Sequence, residues 1–453
     1  MRPEAPAVPA YVRWLAQAGI FFALMPYIGI GALPSDTQPF AFLAAALGLV
    51  LLWRTPPRVA YLTLPLIVMA VLATVSLILR GAFDDIGYLW LIRSYYGYVS
   101  APVIVTFFLY YLRVLRNDQI ARVVDVALVV AFLGFVLNVL GFTWVIQSVV
   151  NRAVFVGAAA SSRGIPSFFV EQSRVSEQMA FFFFCYLLTG QVTRLRAAAL
   201  VVAALLAAAG QMFIIAGHIV LAYAAAAAVL VLVRRGISVR SATRLTLAGA
   251  VVVAFVSFHE VIAADLIRIG FPTRGITAIS SIIDRGGAFI GRDQGMMDKL
   301  AGILQAAATL VDNPVTFKLA ATADPGFRAT VEPTYAYLSR ILFDSTLLRF
   351  ARRPSTALGL WVLEFGIVGL IAALTFVVLL LRRAVGAPNE VQVRVLWASF
   401  FLAQVLFVKL TLANPSLWLM SALIWAASRP SVSGLHLAVR RPDATLSGKA
   451  LHV

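Results

Sequence analysis

The sequence predicts an all-α polytopic membrane protein, with about twelve transmembrane helices and one large periplasmic loop containing short helices. Three observations predict it. Of 453 residues, 61% are hydrophobic and only 13% charged, and the mean hydropathy is +0.91, values that exclude a soluble globular domain. Apolar runs of spanning length recur, since a hydrocarbon core of ~30 Å takes roughly 20 helical residues. Short basic links punctuate these runs so that every second link carries arginine.

The first apolar run, near Leu15–Leu33, is about twice a signal-peptide core and shows no clear small-residue cleavage site, so it reads as an uncleaved span. Spans follow in order at 14–33, 38–53, 59–79, 95–112, 123–145, 175–190, 197–214, 217–233 and 245–262. Three more follow the long loop, at 357–381, 395–411 and 415–428. With a cytoplasmic N-terminus, 20 of the 37 lysines and arginines lie inside and 17 outside. Eleven of the outer ones sit in the loop, which exceeds the ~60 residues over which the positive-inside rule counts. Both termini are therefore expected on the cytoplasmic side.

The stretch 197–233 is the ambiguous one. Arg194 and Arg234 flank it on what must be the same side, so it is expected to be two crossings joined by a tight turn near Gly210–Gly217. The organisation is then transmembrane helices one to nine in 1–262, the periplasmic loop in 263–356, helices ten to twelve in 357–428, and a basic cytoplasmic tail in 429–453. Within the loop, Met297 to Val311 repeats apolar residues at three-to-four spacing and meets Asn313-Pro314, which predicts an amphipathic helix on the membrane face or capping a cavity.

The composition also bounds the chemistry. A single cysteine, Cys185, allows no intrachain disulfide, and the four histidines lack ligand spacing, so no cofactor and no metal centre is expected. A net charge of +17 would suggest nucleic acid in a soluble protein. Here the cationic links set topology and touch anionic lipid, so the bilayer is the expected partner and nucleic acid is not.

Polar residues gather at three outer places. Before the sixth span, Arg163 and Arg174 bracket Glu171, followed by Glu177. The two arginines suit a diphosphate through forked, charge-assisted bonds, and Glu171 suits a general base if burial raises its pKa. The same spacing suits an interfacial ion-pair cluster. In the loop, Arg268, Arg274, Arg285 and Arg292 alternate with Gly275, Gly286, Gly287 and Gly291, where the backbone can approach a phosphate closely. Asp265, Asp284 and Asp293 would equally balance them as a solvated charged loop. Beyond the amphipathic helix, Asp324, Arg328, Glu332, Tyr335, Tyr337 and Arg340 suit sugar stacking and hydroxyl hydrogen bonds, or loop packing. Within the spans, Glu364 and Lys409 are the charges nearest the interior and are expected to pair with each other.

These motifs resemble the O-antigen polymerase and O-antigen ligase superfamily of bacterial polysaccharide enzymes. Arg163 precedes Phe169-Val170-Glu171-Gln172-Ser173, with Gln where that family usually has Pro. Arg292, the amphipathic helix and Asn313-Pro314 follow its loop pattern, although Phe317-Lys318-Leu319 stands where glycines are usual. Leu363-Glu364-Phe365-Gly366-Ile367-Val368-Gly369 matches the family's Glu-Leu-Gly-Ile-x-Gly-like run well. Ligases of this kind carry a histidine nine residues and one polar residue before the Gly-x-x-Gly, whereas this chain has Ser355-Thr356 there.

The resemblance implies a metal-independent glycosyltransferase of the bacterial inner membrane that polymerises repeat units carried on undecaprenyl diphosphate at the periplasmic face. It implies Arg163, Arg174, Arg274, Arg285 and Arg292 for the diphosphate and Glu171 as base, with Glu332 as the alternative. A chain-length regulator and a flippase of the same pathway are the implied partners. The near alternative is a ligase transferring polymer to the lipid A core. A lipid-linked glycan transporter is the rival from another class, although no matching halves are visible.

Overall fold

The computed structural model describes residues 10–29, 39–51, 60–83, 88–150, 167–169, 172–234, 294–343, 356–408 and 412–429. Among the described residues the chain is helical, and the one β pairing is an isolated antiparallel bridge between Ile28 and Val150. The helices are α1 (Ala10–Leu24), α2 (Phe40–Leu51), α3 (Leu64–Phe83), α4 (Tyr88–Tyr111), α5 (Asn117–Val139), α6 (Thr143–Val149) and α7 (Gln172–Thr189). They continue as α8 (Arg194–Arg234), α9 (Gln294–Asp312), α10 (Pro325–Phe343), α11 (Ala357–Val385), α12 (Asn389–Val408) and α13 (Pro415–Ala427).

Four described stretches are long and apolar enough to cross a membrane: Tyr61–Arg80, Asn117–Val139, Ala357–Val385 and Asn389–Phe407. Helices α1, α2 and α13 are apolar but shorter, as is the His218–Val233 part of α8. The apolar helices are those of a membrane-embedded protein. The expected span at 245–262 and the basic tail from 430 onward lie outside the described residues.

Helix α13 is the axis of the bundle. It is apolar on every side, so it has no face to give to solvent, and every residue from Pro415 to Trp425 is buried, which leaves none of them to lipid. Helices α1, α4, α7, α11 and α12 surround it. Its start is set locally: the Asn414 side chain accepts the Ser416 N–H at 3.0 Å, and Pro415 takes the first helical position, where no N–H is needed. Close approach elsewhere depends on small residues. Gly48 lies so near the Phe107 ring that a Cβ would stand 2.4 Å from it, and the Tyr111 hydroxyl donates to the Gly48 carbonyl at 2.9 Å.

One expected boundary is corrected. The fifth helix stops at Val139 rather than 145, because Gly141 (φ 80°) turns the chain into the left-handed region. The Phe142 N–H returns to the Leu137 carbonyl (2.8 Å) and the Gly141 N–H to Asn138 (3.1 Å), a Schellman closure that ends a helix inside an apolar run. The stretch 197–233 is helical across Arg194–Arg234, and its two halves lie beside the same neighbours, as two crossings joined by a turn require and one straight helix of about 60 Å does not allow. Arg196 lies over the Tyr186 ring of α7 (4.9 Å), while Trp397 packs on Phe183, Phe184 and Tyr223 and donates to the Ile219 carbonyl at 2.8 Å.

The amphipathic helix forms as expected, as α9, and Asn313-Pro314 follows its end. It packs on protein. Ala301, Leu304 and Ala308 bury against Phe327, Val331 and Tyr335 of α10 and Leu363 of α11, a second small core beside the main one.

Candidate functional site

The basic links gather at one end of the bundle: Asp125 holds Arg196 through two bonds of 2.6 and 2.8 Å and accepts the Tyr186 hydroxyl at 2.7 Å. The polar groups of functional interest lie at the other end, beside α9 and α10.

They are organised by a break in α11. Gly366 has φ 56° and ψ −134°, a conformation that side chains bar to most residues, and the helix axis turns over there. A straight helix would separate Trp361 from Gly369 by about 12 Å. Instead, a Cβ added at Gly369 would stand 2.0 Å from the Trp361 carbonyl oxygen. A broken helix frees backbone groups that must be satisfied inside the protein. The segment between α9 and α10 satisfies them. The Ile367 N–H donates to the Pro314 carbonyl (2.8 Å), and the Lys318 N–H donates to the Glu364 carbonyl (2.9 Å).

Glu364 itself is 1% exposed and accepts the Ala320 N–H on Oε1 at 2.7 Å. Lys409, its expected partner, lies outside the described residues. The end of α3 holds the same segment from the opposite side. The Ser76 hydroxyl donates to the Phe317 carbonyl (2.9 Å) and accepts the Leu319 N–H (2.8 Å). Buried Arg80 donates to the Leu319 carbonyl and pairs with Asp324 at 3.1 Å, and Lys318 reaches the same Asp324 oxygen at 3.0 Å. Burial alone would raise the Asp324 carboxyl, but the Lys318 ammonium, the Phe327 N–H and the Arg80 guanidinium together hold it below the ordinary carboxylate value. This cluster is a clasp that fixes α9 and α10 to the bundle.

A second polar group sits at the start of α7. In its first turn Arg174 donates to Glu177 at 3.0 Å, with the arginine side chain 27% exposed and the glutamate only 8%. One residue on, the Gln178 amide donates to the Ser416 hydroxyl (3.0 Å), which in turn donates to the Ala23 carbonyl (2.6 Å). Helices α1, α7 and α13 are thus tied around an arginine that still opens outward. Tyr98 of α4 links the neighbourhoods, since its ring meets Phe365 edge-on at 5.2 Å while the adjacent Gly97 sits against Leu412.

Of the residues singled out from sequence, Arg174 pairs with Glu177, a nearly buried carboxylate. Arg163, Glu171, Arg274, Arg285 and Arg292 lie outside the described residues. Glu332, the alternative base, receives Arg328 at 2.9 Å one turn away on α10, with both side chains nearly half exposed. Tyr335 belongs to the small core and is 2% exposed, so packing accounts for it, whereas Tyr337 is exposed. Arg80, Ser76, Gln178 and Ser416 were not singled out. Arg80 in particular ends an apolar run, where an arginine ordinarily snorkels to the interface. Among the described residues no cluster of three metal-ligating side chains occurs. No protein family model, curated protein or solved structure matches this chain.

Proposed function

We propose that this protein is a membrane-embedded glycosyltransferase that polymerises undecaprenyl-diphosphate-linked repeat units at the periplasmic face of a bacterial inner membrane. The observation that carries this reading is the partly exposed Arg174 held against nearly buried Glu177 in the first turn of α7. A helix N-terminus favours anions, and an arginine there adds charge-assisted donors suited to a diphosphate. The terminal hydroxyl oxygen of the acceptor attacks the anomeric carbon of the donor, and the bond from that carbon to the diphosphate oxygen breaks. Arg174 stabilises the negative charge that develops on the departing diphosphate. The hydroxyl proton passes to a carboxylate, for which Glu171, three residues before Arg174, is our assignment. Arg163, Arg274, Arg285 and Arg292 complete the diphosphate-binding set in this reading.

Deletion of the gene in its host, followed by gel analysis of surface polysaccharide and of lipid-linked intermediates, tests the reading. Single repeat units on the lipid A core with no ladder are the expected result, and Arg174→Ala should reproduce them. Full-length polymer stranded on the undecaprenyl carrier would replace polymerase by ligase. Repeat units trapped on the cytoplasmic face would overturn both and identify a flippase.

A further inference from the structure

At the basic end, away from the site above, α3 and the second half of α11 enclose a groove of about 750 Å³. Its walls are apolar along most of their length, including Leu64, Val68, Val368 and Ile371, and Arg382, Arg383 and Trp425 close one end. From Val368 to Arg383 the helix rises about 22 Å, about three quarters of a ~30 Å hydrocarbon core and more than the ~15 Å of one leaflet. The groove therefore has the reach of one lipid chain in one leaflet.

The closed end is cationic. The Arg383 guanidinium lies 5.4 Å from the Trp425 ring centroid, and its Nε is buried without a hydrogen-bond partner. Burial, then Arg113 and Arg383, hold the Arg429 guanidinium below its ordinary value, which brings the ends of α4, α11 and α13 into one field of like charge. Such a group repels itself until an anion arrives, and donors already aimed at one place lower the entropic cost of binding it.

We infer that this groove binds an anionic phospholipid, its phosphate on Arg382 and Arg383 and one acyl chain lying between α3 and α11. The apolar length of the groove selects a lipid over free phosphate. Trp425 stacks the Arg383 guanidinium and so presents its edge to the headgroup. This site is separate from the proposed catalysis and does not rest on it.

The test uses the full-length protein in nanodiscs of phosphatidylcholine with a minor fraction of phosphatidylglycerol, with retained lipid counted by native mass spectrometry. A preference for phosphatidylglycerol on the order of tenfold is expected, as two arginines near an anionic headgroup provide. Arg382→Gln with Arg383→Gln should bring the two lipids to near parity. Thr375→Trp, which fills the groove from an exposed position while leaving both arginines, should reduce retained phosphatidylglycerol as well. Inorganic phosphate should not displace the lipid. Parity in the wild-type protein would overturn the inference. Displacement by inorganic phosphate, with Thr375→Trp without effect, would equally overturn it and leave an anion site alone. If the double variant fails to elute as a monodisperse peak, Thr375→Trp and the loss of preference in high salt decide the question.

Discussion

Replacing Gly366 with alanine should destabilise this protein more than its one added methyl group suggests. The residue holds φ 56° and ψ −134°, a region nearly confined to glycine, and forcing alanine there costs about 1–3 kcal/mol. The new Cβ would also stand 2.2 Å from the Pro314 carbonyl oxygen. That oxygen accepts the Ile367 N–H, so the clasp must shift and leave a buried donor short of its partner, a further cost of about 1–3 kcal/mol. A combined loss of roughly 2–6 kcal/mol is a large share of an ordinary folding free energy of ~5–15 kcal/mol. Gly386→Ala is the matched control. It lies in the same helix's C-terminal turn at φ −81°, and its Cβ would meet the Arg382 carbonyl at an ordinary 3.7 Å. Thermal unfolding in detergent, followed by monodisperse elution, should show Gly366→Ala melting about 2–6 °C lower and Gly386→Ala within about 1 °C of wild type. Equal melting of the two variants would refute the break in α11 and the clasp built on it.

Two further outcomes follow from the charged groups. The Asp324 carboxyl titrates below its unfolded value, so its stabilising contribution is complete above about pH 4 and lost as pH falls through the lower folded value. The melting temperatures of wild type and Asp324→Asn should therefore differ at pH 7 and converge toward pH 3; a gap that widens on acidification would reverse the assignment. Glu332→Gln removes an exposed pair one helical turn long and should change stability by less than about 0.5 kcal/mol. With Glu171 as the base it should also leave the polysaccharide ladder intact, and a lost ladder would assign the base to Glu332 instead.

The local signals in the chain were reliable where one element answers to its own residues. The three-to-four spacing from Met297 to Val311 and the stop at Asn313-Pro314 correspond to α9, and the Gly-x-x-Gly at Gly366 and Gly369 marked the place where α11 breaks. Its meaning was not local. Glycine inside an apolar helix is common in membranes, so only the arrival of the Pro314–Ala320 segment explains why a side chain cannot stand at Gly366. The candidate site was legible in part, since Arg174 carries enough charge to be noticed wherever a chain enters a membrane. The pairing of Glu332 with Arg328 was not legible, because a loop carboxylate looks the same on paper whether it faces a cavity or an arginine one turn away.

Composition and hydropathy alone determined that this is a helical, membrane-embedded protein, because the cost of exposing unsatisfied backbone to lipid leaves an apolar chain few alternatives. Tertiary structure alone decided that α13 is the axis, that Arg80 clasps a segment almost 240 residues away, and that Arg382 and Arg383 close an apolar groove. Those facts depend on which helices become neighbours, and neighbour choice is set by packing across the bundle rather than by any window of sequence.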